Sequence, residues 1–368
     1  MNLPDEQIKN WQDAQELRKL RKGTPHVNIG FYGIGNLATE AVKDITKKSS
    51  SDFDLPINKI YLYSHNSKKN LSLENLAEHC EEVQTNKNAK TALVQRETEE
   101  LSKDLDKLHM LFFTASKKGP WKNRAEMTQN NISIVDEFCN NFNHNCSDFR
   151  GVLNFVSNLP EALAHYSLAK LKINDPRQVT AHVPLDMMRY ERLVNIMLNP
   201  EQKSPVPLDL TLSGFHDRPW PVLNHSKQID GFDNFCNPKF ASIMDSILKY
   251  ETQEDLAKRL EGYAPGQAKN HKEQIKRLKE KYGKNAIILD SPTSIPTAEA
   301  ISRFISSFLQ NGKTTCCVPY EVEGENYFVQ MPVTFEQGFP EVNQEKLNQF
   351  TDYDHEQIKD RIAGTRNS

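Results

Sequence analysis

Asp186 and Arg189 stand three residues apart in VPLDMMRYERLV (183–194), so they share one face of a stretch that otherwise reads as a buried helix. The plain reading of two opposite charges at that spacing is an i,i+3 ion pair. Whether they also serve chemistry depends on what accompanies them.

A second pattern with chemical meaning is Gly33-Ile34-Gly35-Asn36-Leu37-Ala38, which matches G-x-G-x-x-A between the strand-like HVNIGFY and the helical ATEAVKDITKK. In that context Gly33 permits a tight turn and Gly35 lets backbone approach a pyrophosphate. Ala38 allows close packing of the helix, and the amides that open it, at Asn36 and Leu37, face the anion. The same pattern also describes an ordinary strand-to-helix turn, and its position at the first βα junction favours the dinucleotide reading.

An NAD-binding unit usually ends its second strand with an acid that takes the ribose hydroxyls. Here IYLYSHNSKK offers Ser64, His65, Asn66, Lys68 and Lys69 instead. Without the acid NAD loses its usual anchor, whereas a hydroxyl followed by imidazole and ammonium groups can hold a 2′-phosphate, so NADP is a candidate beside NAD. Lys68 and Lys69 read equally well as solvated loop charges.

These residues need elements to position them. In the first half apolar strands (HVNIGFY, INKIYLYS, LHMLFFTAS, GVLNFVSN) alternate with helical runs, one of which, NRAEMTQNNISIVDEFCNNF, has Met127, Ile132, Ile134, Val135 and Phe138 as its apolar side. That alternation predicts a doubly wound parallel sheet, in a first domain that ends near residue 158. Residues 71–108 read as polar and mostly helical up to LHMLFFTAS. An amphipathic helix over 5–22 forms an arm ahead of the body, which gives three parts: 1–25, 26–158 and 159–368. The last part carries the helix EALAHYSLAKLK, strands around LDLTLSGF and WPVLN, and a charged helical region through residue 283. The helix PTAEAISRFISSFLQNG, a hairpin turning at EGEN and a closing amphipathic helix complete it.

The chain has 368 residues and a formal charge of −3, which gives no reason to expect nucleic acid or an anionic membrane as partner. Six scattered cysteines without C-x-x-C or Cys/His ligand spacing read as reduced thiols in the cytoplasm and predict no metal site. The first residues lack an apolar signal core, and no run of eighteen apolar residues exists, so a spanning helix is not expected.

Four further segments complete a set with GIGNLA and the Asp186 stretch: TASKKGPWKNR (114–124), FVSNLP (155–160), SGFHDRPWP (213–221) and SPTSIPTAEA (291–300). In this order they resemble the lactate/malate dehydrogenase family over nearly the whole chain. The resemblance implies a Rossmann-type domain followed by an α+β catalytic domain, in a homodimer or homotetramer. It implies hydride transfer between NAD or NADP and a 2-hydroxy acid, whose hydroxyl needs a proton acceptor, and imidazole is matched to neutral pH. His216 matches the catalytic histidine. Asp186 matches the carboxylate that fixes its tautomer, and Arg189 the two-pronged clamp on the substrate's C1 carboxylate.

By the same resemblance Arg124 polarises the reacting carbonyl, Asn158 hydrogen-bonds substrate oxygen beside the nicotinamide, and Thr114 and Ala115 line the cofactor turn, with Ser116 where the family has glycine. Lys118 matches the position that separates substrates. A cation there goes with malate and oxaloacetate, although the loop is one residue shorter than usual and Lys117 is an alternative occupant. Departures are present too. His216 is followed by Asp217-Arg218 in place of a small residue, and Thr180-Ala181-His182 stands where glycines are expected, with His182 read as structural. The competing reading is a catalytically divergent protein that binds a dinucleotide and works through interaction or regulation. A remote third, an NAD-dependent glycosidase, expects a metal-binding Cys and His that the sequence does not offer.

Overall fold

The computed structural model describes residues 27–50, 57–65, 75–81, 91–117, 119, 124–173, 175–198, 210–215, 218–223, 294–322, 325–336 and 338–365. The expected N-terminal arm and the charged region through residue 283 lie outside these residues.

Strand β1 (Val27–Tyr32) is almost continuously apolar and almost wholly buried, as a central strand covered on both faces must be. Helix α1 (Asn36–Ser50) follows it and buries Ala38, Ala41, Val42 and Ile45, the i, i+3, i+4, i+7 stripe of a one-sided helix. β2 (Ile57–Tyr63), β3 (Ala92–Arg96), β4 (Met110–Phe113), β5 (Val152–Phe155) and β6 (Val179–Ala181) pair in parallel in the order β3-β2-β1-β4-β5-β6. This is the doubly wound, Rossmann-type order, and its direction of travel reverses between β1 and β4.

The sheet has a core on each face. Alternation along a strand sends Phe112 into the core beneath α1, where it meets Phe304 edge-on at 6.2 Å. Phe113 goes into the opposite core against Phe138 of α2 (Arg124–Asn143) and Phe155, at 5.2 and 5.1 Å. Each such ring contributes about 2 kcal/mol by leaving water.

The second half joins the same sheet without a break. β6 pairs antiparallel with β9 (Lys313–Val322) at Ala181 and Cys317, and β9 forms a hairpin with β10 (Glu325–Glu336) in register from Val322–Glu325 to Lys313–Thr334. β10 then pairs with β7 (Leu210–Phe215), and β7 with β8 (Arg218–Leu223), while β11 (Phe339–Val342) pairs with the far end of β10. Among the described residues three helices cover this half: α3 (Pro160–Leu168), α4 (Leu185–Leu198) and α5 (Ser294–Leu309). Short α6 (Gln344–Leu347) and then α7 (Asp352–Thr365) close the chain. Arg303 of α5 grips Glu191 of α4 through both terminal nitrogens, at 2.6 and 2.9 Å, and so fixes α4 to the body.

One expectation needs correction. Within 71–108 only 75–81 is described as α-helix; Ala92–Arg96 is a strand, and 98–107 are 3₁₀ turns. After residue 158, β6 adds a sixth parallel strand before the chain turns antiparallel.

Candidate active site

Five strands of the parallel half end at one edge, and the segments that leave them hold the candidate residues: Gly33 after β1, Ser64 after β2, Thr114 after β4, Asn158 after β5 and Asp186 after β6. That edge, at the point where strand order reverses, is where open α/β sheets bind ligands.

The glycine turn is fixed by backbone. Gly33 has φ +95, its N–H donates to Tyr63 O at 2.9 Å, and a β-carbon there would stand 2.4–2.6 Å from Ala115. No other residue type fits. Thr114 presses the neighbouring loop onto the turn: its N–H donates to Tyr32 O at 2.9 Å and its hydroxyl to Gly33 O at 2.7 Å. Gly35 is the opposite case. It is exposed, nothing lies within 4 Å of a β-carbon built on it, and Asn36 beside it opens the helix exposed. A pyrophosphate fits this cradle, against amides at the N-terminus of a fifteen-residue helix.

Ser64 is 8% exposed, its N–H donates to Arg96 O at 3.1 Å, and its hydroxyl is buried with no hydrogen-bond partner among the described residues. An orphaned hydroxyl at the end of β2 suits a ribose or phosphate oxygen. Its neighbour His65 is braced by Glu137 of α2 (Nε2 to Oε1, 3.2 Å) and by Thr98 (3.3 Å). Tyr32 donates to the same Glu137 oxygen at 3.0 Å, and burial, followed by that carboxylate, pushes the Tyr32 phenol well above its usual range. Lys68 and Lys69 lie outside the described residues.

On the substrate side Asp186 and Arg189 are the most deeply buried charges of the edge, 0% and 1% exposed. Arg189 Nη1 stands 3.3 Å from Asp186 Oδ1, so the ion pair expected from spacing forms. The other carboxylate oxygen, Oδ2, lies 3.3 Å from His182 Nε2. His182 adopts φ 60, the left-handed region that glycine would take without strain. Its N–H donates to Phe155 O at 2.7 Å and its carbonyl accepts from Asn154 Nδ2 at 2.9 Å. His182, expected as a structural residue, lies in contact with the candidate catalytic carboxylate. Below them Cys317 donates to Glu161 Oε1 at 3.6 Å, and burial, then that carboxylate, raises its thiol far above the usual range.

Asn158 is exposed, and the Asn158–Leu159 peptide is cis. Arg124 is the first residue of α2, and its side chain is outside the described set, as are Lys118 and His216, which falls between β7 and β8 in the sequence. The structure therefore brings together the glycine turn, Thr114, Ala115, Ser64, Asn158, Asp186 and Arg189 along one edge. Two contacts were not expected: His182 on Asp186, and Asn131 of α2, whose side chain joins the segments after β4 and β5. The first rests on a backbone angle that no sequence pattern announces. The second had a signal, an amide on the apolar stripe Met127, Asn131, Val135, Phe138. No described helix is long and apolar enough to cross a membrane.

No family model matches this chain, and no curated protein matches it in sequence. Solved structures do match. A lactate dehydrogenase from Eimeria maxima, in a structure with NADH and oxamate, is 15% identical with a TM-score of 0.61, covering 94% of this chain and 93% of that one. A malate dehydrogenase from Plasmodium falciparum is 14% identical with a TM-score of 0.63, over 93% and 96%. A minor L-lactate dehydrogenase from Enterococcus mundtii is 13% identical with a TM-score of 0.63, over 93% and 97%.

Proposed function

We propose that this chain, which has the fold of the lactate and malate dehydrogenases, is an oxidoreductase interconverting a 2-hydroxy acid and a 2-keto acid with NAD or NADP, malate and oxaloacetate being the first pair. The observation that carries the reading is a buried Asp186–Arg189 pair on the same sheet edge as a glycine turn that is open at Gly35.

The turn at Gly33, the amides from Gly35 to Leu37, Ser64, Thr114, Ala115 and Asn158 would hold the dinucleotide, whose nicotinamide, when bound, accepts or gives hydride. The chain's own side chains supply the rest. His216 takes the hydroxyl proton as the alcohol is oxidised and returns it on reduction. Asp186 fixes the imidazole tautomer and stabilises the imidazolium. Arg189 clamps the C1 carboxylate, since a guanidinium matches a carboxylate in two parallel bonds. Arg124 stabilises negative charge on the carbonyl oxygen, and Asn158 hydrogen-bonds substrate oxygen. Lys118, or Lys117 in the shortened loop, meets a second carboxylate as a point charge, which favours malate over lactate.

Coenzyme choice turns on the end of β2. The orphaned Ser64 hydroxyl and the missing acid support NADP, whereas Glu137 beside His65 works against a phosphate there. Titration with both reduced nucleotides decides it, and a clear preference for NADH overturns the argument from Ser64. The proposal also has residues 26–158 as the dinucleotide-binding part, 159–368 as the catalytic part, and a cytoplasmic homodimer or homotetramer, which light scattering would size.

One observation favours the second reading, a dinucleotide-binding interaction or regulatory protein: among the described residues, the imidazole facing Asp186 Oδ2 is His182, from the same segment of chain. A panel of keto acids, oxaloacetate and pyruvate included, assayed with NADH and NADPH separates the two. Coenzyme oxidation driven by oxaloacetate supports the enzyme. Tight coenzyme binding with no turnover on any acid supports the binding protein, and absence of both defeats each reading.

A further inference from the structure

We propose that Asn131 is a positioning residue that clasps the root of the substrate loop to the Asn158 segment and so sets the width of the site. The inference rests on the proposed reading in that both segments face substrate. Asn131 is 0% exposed in the middle of α2, on the stripe it shares with Met127, Val135 and Phe138. A buried amide on an apolar stripe is costly unless its oxygen and nitrogen are both engaged. Both are engaged, and neither by the helix itself. Oδ1 accepts from the Lys117 N–H at 2.9 Å, and Nδ2 donates to the Asn158 carbonyl at 3.3 Å.

The two partners leave neighbouring parallel strands, β4 and β5, whose ladder ends at Phe113 and Phe155. Val156 and Ser157 still donate to Phe113 O, at 3.0 and 3.3 Å. Beyond Ser157, among the described residues, the hydrogen bonds that join the segments run through the Asn131 amide. Its planar geometry fixes the acceptor and the donor a set distance apart, so the Lys117 backbone and the Asn158 carbonyl are held in one spatial relation. Lys117 opens the stretch that leads to Lys118 and Arg124, and Asn158 carries the amide proposed for substrate oxygen. The coenzyme side is anchored separately, by Thr114 on Tyr32 O and Gly33 O. The clasp therefore acts on substrate geometry through both segments and on nucleotide binding through Asn158 alone.

Asn131→Leu keeps the volume and the helix and removes both bonds. Loss of one or two hydrogen bonds at this strength predicts that the Lys117 amide exchanges with solvent about tenfold faster or more, and that keto-acid kcat/KM falls about ten- to a hundredfold. NADH or NADPH affinity should fall less than keto-acid kcat/KM, because of the residues proposed to hold the coenzyme only Asn158 is released while the Thr114 anchors are untouched. Asn131→Asp is the companion, for the case in which leucine disrupts folding. Ionised, it keeps an acceptor for Lys117 and loses the donor to Asn158, so Lys117 protection stays while substrate KM rises. Unchanged Lys117 exchange in the leucine variant overturns the clasp whatever the activity. Altered exchange with unchanged kcat/KM overturns the positioning role. If the wild-type protein turns over no keto acid, the proposed function fails by itself, and the inference falls with it as a statement about substrate while the exchange measurement still judges the contact.

Discussion

The coenzyme side and the substrate side of the same sheet edge are built from different materials. At the glycine turn the determinants are backbone: a positive φ, a carbonyl taken by Thr114, a helix end left bare beside Gly35. A few ångströms of backbone placement do the work, with no buried charge needed. At Asp186 the determinants are side chains, a carboxylate held between a guanidinium and an imidazole with almost no access to water. The first kind of site tolerates change everywhere except at its small residues. The second is exposed to the loss of any one member, because the others remain buried with their charges.

The largest test of that contrast is His216→Asn. If the imidazole carries the proton, turnover falls about a thousandfold while nucleotide affinity, which belongs to the other side, stays within a factor of about two. Steady-state kinetics beside a fluorescence titration of NADH or NADPH checks both halves, and comparable turnover in the variant refutes the role.

Next in size is Asp186→Asn, which leaves Arg189 without its carboxylate. Breaking a buried pair from one side costs about 3–5 kcal/mol, visible as a drop in the urea midpoint. A change under about 1 kcal/mol would mean that Arg189 has its principal counter-charge elsewhere. Gly33→Ala attacks the other side. A β-carbon placed 2.4–2.6 Å from Ala115, on a residue at φ +95, forces the turn to shift. The expected cost is about 2 kcal/mol of stability, with nucleotide affinity falling further than keto-acid KM changes. Equal damage to both parameters would show that the two sides are not separate.

The contrast also explains what the sequence could disclose. Gly33, Gly35 and Ala38 are legible because a backbone demand selects residue type at a fixed spacing, and Asp186 and Arg189 because opposite charges on a buried helix face stand out. The strand Ala92–Arg96 did not stand out. Among the described residues it pairs only with β2, is half exposed with no clean alternation, and sits among polar residues, so its ladder bonds to Lys59–Tyr63 have no signature in composition. β6 is three residues long, too short to show a period. Asn131 could have been found as a polar break in an apolar stripe, whereas its partners, a backbone N–H and a backbone carbonyl, carry no mark of residue type.

His182 gives the smallest and most discriminating effect. A non-glycine residue at φ 60 sacrifices about 1 kcal/mol of backbone energy, which glycine would recover. His182→Gly also removes a buried ring, so the two changes offset and stability should move by less than about 1 kcal/mol in chemical denaturation. A histidine kept only for packing would instead show a loss of about 2 kcal/mol or more. Turnover separates the remaining cases. If His182 steadies Asp186 for an acid/base at His216, the glycine variant is stable but slower. If His182 occupies the carboxylate at the expense of His216, as the binding-protein reading implies, removing it raises keto-acid reduction above the wild-type level. An unchanged rate with unchanged stability would show that the 3.3 Å contact to Asp186 has no part in setting that carboxylate's position.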